Sequence, residues 1–449
     1  MKKFFILFAL IVLSVSAKAG ESGFSILPQK TTVTVGKQPG MIYPGQLTKG
    51  IMPFVICMGY DDYDFTYEEG EEMPSIWSMT MLSPGVLNAT KIMDLPFASI
   101  APPIRPFVVE DKNLVYIVQG SKVASYKLSN FEKVEEFDVD ASASAISIDG
   151  DYVYVTVTYW DIPGYVKKYN LTSKEAVDSI GAGFSPRQTL PYWNGSLAVL
   201  TEGTFGQANS VVTLYDVSGE KAVVIAEIPV GGLGNSMIME GNYLYVTMNG
   251  THEIKIINLN SRAIENTIAI PTTGGDGPRE TLILNKTASE NYQDFEFFTT
   301  AYNGRTYYGK GLNVLDSSEA GDKREGITMI MGNVLAVTDM NKYDYSPANT
   351  VSFYYGTPSS VEDSRVNYAN SYPCPAIDNV TINLYADQAQ DATVAIYSVN
   401  GTKATEFNTH INDGKINLSA TQLNLASGKY IAKVTIGDKT YTANIIINR

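Results

Sequence analysis

Five basic residues recur at one phase of the chain: Lys37, Arg105, Arg187, Arg279 and Arg324. Each falls where glycine or proline gives way to an apolar run, as in SPRQTL (185–190) and GPRETL (277–282). Guanidinium forks match carboxylate and phosphate geometry, so a convergent ring of them would hold an anionic group. The competing reading pairs each arginine with a neighbouring acid, Glu280 or Glu325, and uses the pairs to set the spacing of the elements. Both readings need a fold that brings residues distant in sequence to one place.

An internal repeat supplies such a fold. The segments 110–137, 148–180, 193–217 and 241–270 each read as a short inner strand, a Gly-Asx turn, an alternating strand, a loop and two further strands. The residues just before the inner strands are 105, 144, 187, 235, 279 and 324, at intervals of 39, 43, 48, 44 and 45. A period in the forties with four strands per unit predicts an all-β, seven-bladed β-propeller once an earlier unit at about 41–97 is added. The last unit, starting near Ile327, lacks a fourth strand, and TTVTVG (31–36) fits the vacancy. Closure by the opposite terminus would leave no open edge between first and last units.

In a four-stranded meander, the loop leading into each inner strand and the loop between second and third strands emerge on the same face. The second set is rich in aromatics: Tyr60, Tyr63, Phe65 and Tyr67, then Tyr159, Trp160, Phe205, Tyr343 and Tyr345. Rings around a polar hollow give stacking surfaces for a planar or sugar-like ligand. The expected binding set is therefore Lys37, Arg105, Arg187, Arg279, Arg324, Tyr159, Trp160, Phe205, Tyr343 and Tyr345. The acidic stretch DDYDFTYEEGEE (61–72) offers Asp61, Asp62 and Asp64 to Ca²⁺ but lacks the spacing of a calcium loop, so a solvated loop is the favoured reading and no metal or cofactor is expected.

Composition narrows the chemistry further. Residues 1–19 combine Lys2 and Lys3, an apolar run from Phe4 to Val15 and an Ala17-Lys18-Ala19 cleavage site, which predicts a secretory signal peptide. Its removal takes three lysines from the 33 basic residues and no acid, leaving 30 against 47, net −17. Such a chain is a poor prospect for nucleic acid or anionic lipid. No transmembrane segment is expected, and no cysteine follows the cleavage site to carry a lipid. Cys57 and Cys374 make no disulfide framework, and His252 and His410 supply no triad or HExxH site. Enzymatic activity stays open only through an acid pair such as Asp161 with Glu202, whose separation decides whether glycoside cleavage is possible.

The segment LYVTMNGTHEIKIINLN (244–260), with Tyr245, Val246, Thr247 and Asn249, resembles the repeat of YVTN-type (YncE-like) seven-bladed propellers. EGTFGQANS (202–210) resembles exported Bacteroidetes members, including cobalamin-binding surface propellers that are usually lipid-anchored. The similarity covers about 24–357 and implies ligand capture at the surface without naming the ligand. A polar linker at 358–371 leads to alternating segments that predict a small β-sandwich at 372–449. Tyr372, Pro373, Pro375 and Ala376, an Asn400-Gly401 turn, and Leu425, Ser427, Gly428 and Tyr430 resemble the C-terminal sorting domain of type IX secretion cargo; Cys374 stands where that family usually has asparagine. The resemblance implies the type IX machinery as a partner and a secreted or outer-membrane surface location. The expected function is binding of a small molecule or glycan at the loop-rich face. An adhesion or protein-interaction scaffold, or a carbohydrate-active hydrolase or lyase, are the alternatives.

Overall fold

The computed structural model describes residues 20–21, 27, 29–46, 51–59, 69–83, 86–96, 105–140, 143–159, 162–193, 195–284, 295–330, 334–355, 367–368, 370–372, 376–384, 390–398, 402–411, 415–437 and 439–448. The signal-peptide segment, Tyr60 to Phe65, Tyr67, Trp160, Asp161 and Cys374 lie outside them. The chain divides into two compact units, Met1–Thr357 and Pro358–Arg449.

The larger unit is all-β apart from one 3₁₀ turn among the described residues. Among the described residues its strands form seven antiparallel sheets, the first six each a meander in chain order. The first runs from Pro39–Tyr43 to Val86–Asp94 and the second from Phe107–Val109 to Lys133–Asp138. The third starts with Ala143–Asp149, the fourth with Pro186–Pro191, the fifth with Gly234–Glu240 and the sixth with Pro278–Leu284. The seventh combines Lys323–Ile330, Val334–Asn341 and Pro347–Tyr355 with Gln29–Thr34, which pairs with Pro347–Tyr355 from Gln29 against Tyr355 to Thr34 against Thr350. The short strand Gly20–Glu21 adds an outer fifth member.

Apolar cores lie between successive sheets. Along a strand the side chains alternate faces, and here both faces are buried. Val153 and Val155 pack toward the second sheet while Tyr154 packs toward the fourth. Leu244 and Val246 face the fourth sheet while Tyr245 faces the sixth. The last core joins Val351 and Phe353 of the seventh sheet to Val55 and Met79 of the first, which closes the series. At four junctions, hydroxyl and amide side chains tie one sheet's second strand or following loop to the start of the next sheet. Thr158 donates to the Pro186 carbonyl at 2.5 Å, Asn249 to Pro278 at 3.5 Å, Thr300 to Glu325 at 2.6 Å and Thr338 to Gly40 at 2.7 Å. Thr247 and Asn249 of the YVTN-like segment thus act within the scaffold, Thr247 bonding Thr281 of the sixth sheet at 2.8 Å.

The smaller unit has a five-stranded sheet and a three-stranded sheet around one core that includes Ile382, Val394, Ile396, Ile416, Val434 and Ile445. Ala376 and Leu425 of the motif are both in that core. Edge strand Lys403–Ile411 carries Lys403 and Glu406, paired at 3.0 Å, and charged edges discourage further strand addition.

Deleting residues 20–35 strips the partner from Pro347–Tyr355 and leaves an unpaired edge in the seventh sheet. The shortened protein is expected to melt at lower temperature and to self-associate, read by circular dichroism and static light scattering. An unchanged melting point and a monomeric mass would contradict the role assigned to that strand.

Candidate functional site

The charged residues gather where each inner strand begins, and a repeated backbone irregularity puts them there. In the fourth sheet Pro186 pairs with Thr201 and Gln188 with Leu200, so Arg187 is the extra residue of a bulge. Asn235 takes the same place in the fifth sheet and Ser144 in the third. In the sixth, Arg279 and Glu280 stand between the pairs Pro278 with Ala301 and Thr281 with Thr299. A bulge breaks the two-residue alternation and re-aims a side chain.

The seventh sheet is offset by one residue. Arg324 pairs with Asp339 and Ile327 with Val337, so Glu325 and Gly326 occupy the places held by Arg279 and Glu280 in the sixth. A one-residue slip turns a side chain to the other face. Arg324 is accordingly fully buried between the sixth and seventh sheets. It donates to Thr306 Oγ1 at 2.8 Å, Ser318 Oγ at 2.5 Å and the Tyr354 hydroxyl, and Asp339 lies 3.4 Å away. The structure thus separates Arg324 from the other arginines. Lys37 is partly buried before the first sheet, where its carbonyl accepts from Gly59 at 3.1 Å.

Arg105, Arg187 and Arg279 do converge, and each meets a carboxylate. Arg279 makes a two-pronged contact with Glu325, Nε to Oε2 at 2.7 Å and an Nη to Oε1 at 3.2 Å, with its guanidinium 4.3 Å from the centre of the Tyr302 ring. Arg105 bridges Ala145, one residue past Ser144, and reaches Glu280 and the Asn235 carbonyl, the latter at 3.3 Å. The second and sixth sheets are not neighbours, so the Arg105 pair with Glu280 spans the middle of the series. Arg187 contacts Glu202 at 3.5 Å and donates to Asn235 Oδ1 at 3.1 Å. Asn235 completes the hub by donating to the Arg279 carbonyl at 2.6 Å.

Three guanidinium groups and three carboxylates therefore cancel within one network. Burial alone pushes Glu325 up, but Arg279, helped by Arg187 and Arg105, holds its carboxyl below the usual range. Glu280 goes the other way: burial raises it, and the single contact from Arg105 offsets this only in part, with Glu325 adding repulsion. Burial also works against the charge of Arg279, yet Glu325 holds its pKa above the ordinary value. For Arg187, burial and the two other guanidiniums outweigh Glu202 and lower it. The network is a paired lock, the competing reading of the arginine series, with partners reached across the fold.

The second loop set meets the first, through Glu202 on Arg187 and Tyr302 on Arg279. Tyr345 and Tyr343 cover Lys323, whose ammonium lies 4.1 and 5.5 Å from their ring centres and 2.9 Å from Asp276. Tyr343 remains 81% exposed and Phe205 83%. Tyr159 is partly buried, its ring centre 6.4 Å from that of Tyr165. Trp160, Asp61, Asp62 and Asp64 lie outside the described residues. Asn235 stood in the repeat series, whereas Tyr302 and Lys323 escaped sequence reasoning because no charge pattern marks a ring that stacks on a cation.

Comparison with known proteins assigns the two units separately. Residues 370–448 match the profile of the secretion system C-terminal sorting domain, so the chain carries a type IX sorting domain, which indicates export to the cell surface or beyond. The β-propeller domain of Cps50 (Swd1) from Myceliophteria thermophila is similar in fold, with TM-score 0.50 and 10% identity over 75% of this chain and 100% of that one. Hydrazine synthase of Kuenenia stuttgartiensis is similar at TM-score 0.50 and 12% identity, covering 72% of this chain and 96% of that one. At these identities the likeness speaks for the fold alone. No curated protein sequence matches the chain. This is a secreted or cell-surface β-propeller protein. No helix among the described residues is long and apolar enough to cross a membrane.

Glu325→Gln leaves Arg279 buried against a neutral amide in place of its carboxylate. The expected cost is about 3 kcal/mol at neutral pH, since breaking a buried pair typically costs about 3–5 kcal/mol. Because the folded pKa of Glu325 is depressed, its contribution is present above the ordinary carboxylate pKa and is lost as pH falls through the lower folded value. Urea melts of wild type and variant should therefore differ most near pH 7 and converge in strong acid. A gap that widens on acidification would refute the assignment.

Proposed function

We propose that this protein is an exported seven-bladed propeller with a C-terminal β-sandwich for type IX sorting, and that its loop-rich face binds a small molecule or glycan. The observation that carries the reading is the pair of strongly exposed rings, Phe205 and Tyr343, on loops held by their own side chains. Thr204 and Asn209 bond each other twice, at 2.8 and 3.1 Å, across the Phe205 turn. Asp344 accepts from the Ser346 amide and hydroxyl at 3.0 and 2.6 Å beneath Tyr343. Aromatic surface presented on a preset turn binds with little ordering cost. The seven sheets, their closing strand and the YVTN-like segment support the blade count, and the two sheets around one core support the sandwich.

The internally neutral arginine network argues against an anion funnel, so the aromatic tips rather than the guanidiniums make the main contact. An interaction scaffold is the second reading, favoured by exposed Val223, Val224 and Leu315 on outer strands. Glu202 is engaged by Arg187, which does not suit it to a free acid pair.

The test is a thermal-shift screen of the mature chain against vitamins, haem, siderophores and glycans. A ligand that binds only the native form raises the melting point, by about 2.7 kcal/mol of stability at a hundredfold excess over Kd. Phe205→Ala with Tyr343→Ala should abolish the shift, and a full shift in that double variant would reject the face. Removing residues 358–449 should leave the protein unexported in cell fractionation.

A further inference from the structure

The contacts at the junction of the third and fourth sheets assemble more than the loop tips alone. The segment Phe184 to Arg187 is the meeting point. Ser185 donates through Oγ to the Tyr159 carbonyl at 3.3 Å, and its own carbonyl accepts from the Glu202 amide at 2.8 Å. The Gly203 amide bonds the Phe184 carbonyl at 3.2 Å. Thr158 ties the preceding loop to Pro186 and is itself bonded to Ser144 at 2.8 Å. These bonds hold the backbones of Tyr159, Phe184 and the 202–209 loop beside the partly open contact of Arg187 with Glu202.

The exposures decide what such a cluster offers a ligand. Phe184 is 37% exposed and Phe205 83%, so two rings face solvent on segments whose backbones are bonded at Glu202 and Gly203. Glu202 is the open member of the network at 35% exposed, against 0% for Glu325 and 11% for Glu280, while Arg187 at 14% is only slightly more open than Arg279 and Arg105 at 10% and 9%. Arg187 with Glu202 thus forms the accessible rim of the network. It presents a donor and an acceptor 3.5 Å apart with no net charge.

We infer that this junction binds an uncharged sugar, with Phe205 as the stacking platform and Arg187 with Glu202 bridging adjacent hydroxyls. The inference rests on the binding function proposed above and deepens it by naming the ligand class and the sheet junction. A hydroxyl both donates and accepts, so a diol satisfies the guanidinium and the carboxylate together. An anionic ligand would face the Glu202 charge in the same contact, and a purely apolar one would leave both groups desolvated and unpaired. The axial faces of a pyranose are apolar and fit a ring, while its rim is polar. The hydroxyls of Ser144 and Thr158 and the amide of Asn235 position the site without needing to touch the sugar.

The experiment is isothermal titration of the chain from residue 20 to 449 with cellohexaose, laminarihexaose and mannohexaose, set against hexagalacturonate. At least one neutral hexaose should bind more tightly than the uronate. Phe205→Ala and Glu202→Ala should each weaken it at least tenfold. Trp193→Ala, in the turn between the first two strands of the fourth sheet and so on the other face, should stay within twofold. Phe205 is open enough that Phe205→Ala should melt as wild type, whereas Glu202→Ala, which unpairs Arg187, should melt lower but keep the wild-type circular dichroism spectrum at the assay temperature, which separates lost binding from lost fold. Stronger binding of the uronate, or sugar binding that survives both Phe205→Ala and Glu202→Ala but falls in Tyr343→Ala, would overturn the inference and leave the loop-rich face standing. A non-sugar ligand bound in the screen with no hexaose bound would do the same. Absence of any ligand in either assay would overturn both.

Discussion

A guanidinium taken out of water must find its opposite charge within reach, because an unpaired buried ion costs several kcal/mol. Three arginines are withdrawn in this way near the middle of the larger unit, and Glu202, Glu280 and Glu325 answer them. Glu280 and Glu325 come from other sheets than Arg105 and Arg279, 175 and 46 residues away, while Glu202 follows the second strand of Arg187's own sheet, 15 residues on. The network therefore forms only when the sheets stand in the right order. Asn235 links all three guanidinium-bearing strands by one side chain and one carbonyl. Packing between sheets is interchangeable in kind, with Val, Ile, Leu and Tyr throughout, whereas these charges accept one arrangement.

The regular part of this architecture was legible in the sequence. The spacing of inner strands, the alternating second strands such as YVYVTV and LYVTM, and the C-terminal sorting motif each follow from a local pattern repeated or matched over many residues. Side-chain direction at the strand starts was less legible. Arg279 and Arg324 occupy like positions in GPRETL and DKREGI, yet the pairing of Arg324 with Asp339 moves the seventh sheet by one residue and puts Glu325 in the arginine's place. A bulge is set by hydrogen bonds to the neighbouring strand, which the sequence of one strand does not contain. The same holds for Arg105, whose level is set by its bridge to Ala145. The acidic partners were visible as residues but not as partners, since nothing local connects Arg105 to Glu280.

The lock also bears on the binding proposed for the loop-rich face. Charges that satisfy each other inside a scaffold do not add to a long-range field, so these three arginines give the strongly acidic chain no compensating basic funnel. In the proposed function, recognition falls to side chains at the rim, where solvent reaches them. Aromatic rings there keep their orientation because their loops are bonded internally, as with Thr204 and Asn209. In the proposed site, rigidity would come from the turn and affinity from the ring, two properties that sequence composition alone does not separate.

The closing strand has a mechanical side. Gln29 faces Tyr355 and Thr34 faces Thr350, so the chain enters and leaves this clasp at the same end. Tension between the N-terminus and the segment after Tyr355 would load the hydrogen bonds one after another, as in a zipper, rather than all at once as in shear. A clasp of this geometry resists heat cooperatively and yields to modest pulling force, so a molecule tethered through its tail keeps its ring only while its opposite end is left slack.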